Sequence, residues 1–222
     1  MVEHFSKYKD KHAGQKLVVV GNGFSLADVP VEWLNSHTTI AMNSFYKLPG
    51  LCPDYWALEG AGHLKKEKDR ETRYPHMDKA GLVLVNRRFV QYFEHFSNVR
   101  SVDYIDYRGS KKTDFSYSPL EIHGTTNSVM FFCLQLAYYL GGNPTLVVGL
   151  DHRFDGEKYH FYDEEGDFHV GPEGDFSAWA DRAEESYKLC ANVFKAHNRT
   201  LLNLTPGTAC KAIPLGNLED WA

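Results

Sequence analysis

No stretch of the 222-residue chain approaches the roughly 18 consecutive apolar residues that a membrane-crossing helix needs, so no span is expected. Residues 1–15 lack the apolar core of a secretory leader. They read as a polar lead-in or short helix, and a cytoplasmic location follows. A basic excess is missing too: 24 Lys and Arg stand against 29 Asp and Glu, for a net charge of −5, which excludes a general field for nucleic acid. The four cysteines, Cys52, Cys133, Cys190 and Cys210, form no C-x-x-C pair and no zinc spacing. They read as reduced thiols that pack as small hydrophobes. Internal repeats and low-complexity tracts are absent.

What is present is ordinary globular composition, 43% hydrophobic and 24% charged. The length suits one domain spanning residues 1–222, able to bury roughly 70% of its unfolded surface without a disulfide or metal. Leu17 to Val20 is a short, mostly β-branched run that ends at glycine, the pattern of a strand buried on both faces. Thr38 to Met42, Asp54 to Leu58, Leu82 to Val85, Thr145 to Val148 and Thr200 to Leu204 repeat it, and Ser101 to Tyr107 alternates like a short or edge strand. Asn127 to Leu140 is apolar all round, which predicts a buried helix stopped by Gly141-Gly142-Asn143-Pro144. Ser177 to His197 predicts an amphipathic helix with Ala183, Tyr187, Cys190 and Phe194 on its buried face. Strands alternating with helices imply a single Rossmann-like α/β domain, a mainly parallel sheet with helices on both faces. Residues 152–176 carry little periodicity and three histidines, and read as an active-site loop or lid.

Ligands in such sheets sit at the carboxyl ends of the strands, so the residues there are the candidates. Gly21-Asn22-Gly23, with Ser25, follows the first strand. Its glycines permit a sharp turn and its amides could face a phosphate, although a plain strand-to-helix turn has the same residues. Asn43 and Ser44 end the second strand and Glu59 the third, each as ligand contact or as turn residue. Thr125, Thr126, Asn127 and Ser128 lead into the buried helix as caps or anion contacts. Gly149 and Asp151 end the Thr145 strand, and are followed by His152, Arg153, Tyr159, His160 and His169. A metal on Asp151 and those histidines matches no zinc motif. Thr205, Gly207 and Thr208 follow the last strand as a turn or a ligand cover.

Val20-Gly21-Asn22-Gly23-Phe24-Ser25-Leu26, Asn43-Ser44-Phe45-Tyr46, Pro53-Asp54-Tyr55, Val148-Gly149-Leu150-Asp151-His152 and Asn203-Leu204-Thr205-Pro206-Gly207-Thr208 together resemble the 6-hydroxymethylpterin pyrophosphokinase-like proteins over residues 15–215. The same set resembles, more distantly, the small bacterial sialyltransferases that use CMP-sialic acid. That second likeness implies a glycosyltransferase of surface glycan synthesis, with a CMP-type nucleotide sugar as donor, a glycan as acceptor and no tightly bound cofactor. It also implies that Asn22 and Asn43 hold the nucleotide, that Thr126, Asn127 and Ser128 contact the donor, and that Tyr159 stabilises the departing phosphate. Arg153 stands where a second phosphate-binding tyrosine is expected, and His169 matches the general base. Phe24 departs from both families, which carry proline there. The first likeness implies instead magnesium-dependent diphosphate transfer from ATP to a pterin-like alcohol, with Asp151 and Glu59 as metal ligands. A non-catalytic nucleotide or sugar binder is the third reading, and a homo-oligomer is open under all three.

Overall fold

The computed structural model describes residues 5–59, 64, 66–105, 114–118, 121–123, 128–153, 159–162 and 173–221. The strands are β1 (Leu17–Val20), β2 (Thr38–Met42), β3 (Tyr55–Leu58), β4 (Leu82–Asn86), β5 (Val99–Ile105), β6 (Glu121–His123), β7 (Thr145–Val148) and β8 (Leu201–Asn203). They form one sheet in the order β6-β5-β4-β3-β2-β1-β7-β8, with every neighbouring pair parallel. Three of these segments, β1, β2 and β7, have the bounds their β-branched runs predict. The three residues of β6 were not expected as a strand, because three residues carry no periodicity to read.

Strand burial on both faces divides the core into two layers. Leu17 and Val19 of β1 point into one, Val18 and Val20 into the other, all of them fully buried. Each such side chain removed from water stabilises the fold by about 1.5–3 kcal/mol. The first layer is closed by two long helices, α3 (Val129–Leu140) and α4 (Glu173–Ala196). Nine residues of α3 are buried, as its all-round apolarity predicts. It stops where Gly141 turns left-handed at φ 88°, with the Gly141 amide on the Tyr138 carbonyl and the Gly142 amide on the Ala137 carbonyl. On α4 the predicted face is the buried one: Ala183, Tyr187, Cys190 and Phe194 are at most 1% exposed.

Strands β3, β4 and β8 and helix α3 differ from expectation by one or two residues at their ends, β5 (Val99–Ile105) starts and ends two residues before the expected Ser101–Tyr107, and two differences are larger. Helix α4 begins at Glu173 and so takes the end of the expected loop 152–176; acids in its first turn suit a helix start, but Gly174 obscured it. Residues 5–14 are more than a lead-in. Phe5 is buried, the Asp10 and His12 amides bond the Tyr139 and Leu140 carbonyls, and the segment thereby caps α3. Among the described residues the second layer is covered by short pieces: α1 (Val31–Asn35), α2 (Glu67–Glu71) and single 3-10 turns such as Phe24–Asp28 and Phe45–Lys47. Helices thus lie on both faces, but the long ones share one face. No helix among the described residues is long and apolar enough to cross a membrane.

Candidate functional site

From β1 the chain steps outward through β2 to β6, then returns to lay β7 and β8 on the other side of β1. The order reverses between β1 and β7, and in open parallel sheets ligands commonly sit at the carboxyl ends of the strands beside such a reversal. Gly21-Asn22-Gly23 and Gly149-Leu150-Asp151 meet there. The Gly21 amide donates to the Val148 carbonyl at 2.8 Å and the Gly23 amide to the Gly149 carbonyl at 2.9 Å. A Cβ on Gly21 would lie 2.3 Å from the Gly149 oxygen, and one on Gly23 would lie 2.0 Å from Asp151 Oδ2. These glycines let two loop backbones touch. The Gly21 and Gly23 amides are used in that contact.

Ser25 is also committed inward: its amide and hydroxyl donate to Asp151 Oδ2 at 3.2 and 2.8 Å. Asp151 is 2% exposed, and burial pushes its carboxyl above the usual range, against the opposing pull of Ser25 and Arg153. Its Oδ1 is buried with no hydrogen-bond partner among the described residues, and the same holds for Asn22 Oδ1. Each is a buried acceptor left unmet after the β1 or β7 strand. Asn22 Nδ2 reaches the Met42 carbonyl at 3.3 Å, which ties the β1 loop to the end of β2. Asn43 sits at φ 39°, and its Oδ1 takes the Glu59 amide at 3.0 Å. Ser44 is buried behind it and starts the 3-10 turn at Phe45.

The segment 159–162 lies over the first turn: Gly23 and His160 form an antiparallel bridge, and the Phe161 amide donates to the Asn22 carbonyl at 3.1 Å. Tyr159 is half-buried within it. Arg153 is exposed, and its guanidinium lies 5.0 Å from the Phe24 ring centroid. Gly207, at φ 62°, gives Arg153 room, since a Cβ there would lie 3.3 Å from its Nη2. Asn22, Asn43, Asp151, Arg153 and Tyr159 thus lie on neighbouring segments at the carboxyl ends of the strands. His169, Thr125, Thr126 and Asn127 lie outside the described residues.

Other candidates have structural occupations. Ser128 Oγ shares a 2.7 Å hydrogen bond with the buried Tyr187 hydroxyl. Thr205 Oγ1 accepts the Leu150 amide at 3.0 Å, and Thr208 Oγ1 donates to the Leu150 carbonyl at 2.5 Å. Both threonines bind the β8 loop to the β7 loop.

Asp151 follows β7 and Glu59 follows β3, with β1 and β2 between those strands. The metal-competent group among the described residues is a different one: His152, Glu184 and Cys210. His152 Nδ1 lies 2.9 Å from Glu184 Oε1, burial lowers its imidazole pKa, and burial pushes the Cys210 thiol up to about 12. Sequence reading missed this group, because Glu184 sits at the edge of the α4 buried face and Cys210 reads as a core thiol.

No family model matches the chain, and no curated protein matches it, so the likeness to the pyrophosphokinase-like proteins stands on its motifs alone. Solved structures do share the fold. The sialyltransferase CstII from Campylobacter jejuni, in complex with cytidine-5'-monophosphate, matches with 13% identity and a TM-score of 0.57, over 91% of this chain and 85% of that one. The same enzyme with a trisaccharide acceptor and CMP matches with 13% identity and a TM-score of 0.55, over 90% and 86%. The MAf glycosyltransferase from Magnetospirillum magneticum AMB-1 matches with 15% identity and a TM-score of 0.54, over 95% of this chain but 37% of that one.

Proposed function

We propose that this protein is a glycosyltransferase that takes its sugar from a CMP-type nucleotide and transfers it to a glycan hydroxyl. The observation that carries the reading is the gathering of the loops after β1, β2 and β7, with Asn22, Asn43, Asp151, Arg153 and Tyr159 on them and on the segment that bridges Gly23, at the strand ends where the sheet order reverses. Its supports are the shared fold with enzymes seen bound to CMP and the two buried acceptors, Asn22 Oδ1 and Asp151 Oδ1, which suit the amino and hydroxyl donors of a nucleoside sugar. Asn22 and Asn43 hold the nucleoside in this scheme. The Gly21 and Gly23 amides hold the first turn against the β7 loop.

The two departures from the sialyltransferase pattern touch one another. Phe24 replaces proline, Arg153 replaces a tyrosine, and the guanidinium rests near the aromatic ring. Arg153 then offers a charged fork to the leaving phosphate where a hydroxyl is usual, with the Phe24 ring as its support. Tyr159 adds a second donor as charge develops on the phosphate. His169 takes the acceptor proton, a role worth about 10²–10⁴ in turnover.

Thermal shift with cytidine, CMP, and ATP with and without magnesium tests the binding half. CMP at about 100 times its Kd stabilises by about 2.7 kcal/mol, a rise of roughly 5–10 °C for a chain of this size. Arg153→Ala weakens CMP but leaves the weaker cytidine shift unchanged. A shift seen with ATP and magnesium alone, or with no nucleotide, rejects the reading.

A further inference from the structure

We propose that His152, Glu184 and Cys210 form a zinc-type metal site that ties the loops after β7 and β8 to helix α4. The inference is independent of the nucleotide reading. The three residues come from three separate elements and offer nitrogen, oxygen and sulfur, with the candidate ligand atoms all within 4.8 Å of one another. Bond lengths of about 2.0–2.3 Å in a tetrahedral site place ligand atoms roughly 3.3–3.8 Å apart, so closure on an ion needs shifts of up to about 1–1.5 Å. His152 and Glu184 are at 2.9 Å, on the near side of that range.

The site has the form of an open three-ligand centre. The His152 side chain is 2% exposed, Cys210 is 3% exposed and the Glu184 side chain 26%, so protein encloses the group except on the Glu184 side. Water can supply a fourth ligand there. Asp181, one turn before Glu184 on α4, already acts electrostatically on His152 and is a second source. Thiolate with imidazole and carboxylate selects zinc and its analogues cobalt and cadmium; magnesium and calcium require oxygen-only sets.

The surroundings pre-aim the ligands. His152 adopts a left-handed φ of 54°, uncommon for a residue other than glycine. Its ring packs edge-on against Tyr187 at 5.6 Å, and Tyr187 is itself fixed by Ser128. Glu184 Oε1 accepts the Lys211 amide at 3.0 Å, which orients the carboxylate and places Cys210 beside it. Binding is proton-balanced. His152 coordinates as neutral imidazole through Nδ1 with its proton on Nε2, Glu184 coordinates as carboxylate, and Cys210 gives up its S–H proton to solvent. One proton leaves per ion.

The full chain, stripped with chelator and titrated with cobalt(II), tests this. One equivalent is expected to produce a thiolate-to-cobalt charge-transfer band that zinc abolishes. Cys210→Ser removes the band, whereas Cys52→Ser, at the exposed cysteine, keeps it. Zinc raises the Tm of the wild type and leaves that of Glu184→Gln unchanged. The absence of a band, a band that survives Cys210→Ser, or one that disappears with Cys52 overturns the proposal. Should Cys210→Ser fail to fold, Glu184→Gln decides, and full-strength cobalt binding in that variant overturns it as well.

Discussion

Replacing Gly21 by alanine tests whether the β1 and β7 loops are packed as described. The new Cβ would sit 2.3 Å from the Gly149 carbonyl oxygen and 2.8 Å from its carbon, where ordinary contact begins at 3.4 Å. Both atoms are backbone and cannot swing aside, so the β1 and β7 loops must part by about 1 Å, beyond the relaxation a packed interior usually allows. That separation breaks the Gly21–Val148 and Gly23–Gly149 hydrogen bonds. Each leaves a buried group unmet at about 1–3 kcal/mol. Against this, alanine restricts the unfolded chain and returns about 0.4–1 kcal/mol, because Gly21 is not at positive φ. The net loss is about 2–4 kcal/mol, or roughly 5–15 °C in Tm. Thermal and urea unfolding measure it. Gly14→Ala is the control: it has φ 74° and nothing within 4 Å, so it carries backbone strain alone, about 1–2 kcal/mol. A Gly21→Ala protein as stable as wild type that merely loses CMP binding would mean that the glycine serves the ligand, and the packed-loop account would be wrong.

Other perturbations follow from the same geometry. Ser25→Ala leaves the buried Asp151 carboxylate with one donor fewer and is expected to cost about 1–3 kcal/mol in chemical unfolding; no change would show that Asp151 finds its stabilisation elsewhere. A double-mutant cycle of Ser128→Ala and Tyr187→Phe should give a coupling of about 1 kcal/mol, and additive losses would deny their hydrogen bond. His76 is held below the usual imidazole value of 6.5 by burial and then by Lys79. Its folded pKa lies under its unfolded one, so its contribution is present above pH 6.5 and is lost as pH falls through the folded value. An NMR titration of the His76 ring checks this, and a midpoint at or above 6.5 refutes it.

Much of the architecture could be read from residue order, because its signals are local. A run such as Leu17-Val18-Val19-Val20 is a strand for reasons contained in four residues, and Gly141-Gly142 stops α3 through its own left-handed turn. The same holds for the α4 face that carries Tyr187 and Phe194. Candidate positions at the strand ends were legible too, since the parallel α/β arrangement assigns ligands to that edge.

What stayed hidden depends on contacts between distant residues. That the Gly21 and Gly23 amides are consumed by Val148 and Gly149 follows from β1 and β7 being neighbours across more than a hundred intervening residues. Nothing in the composition of Gly21-Asn22-Gly23 says so. The same register carries His152, Glu184 and Cys210 together from a loop, a helix and another loop. Local patterns specify which face a residue presents to the core; the pairing of strands specifies which residues then meet, and a ligand site is made of such meetings.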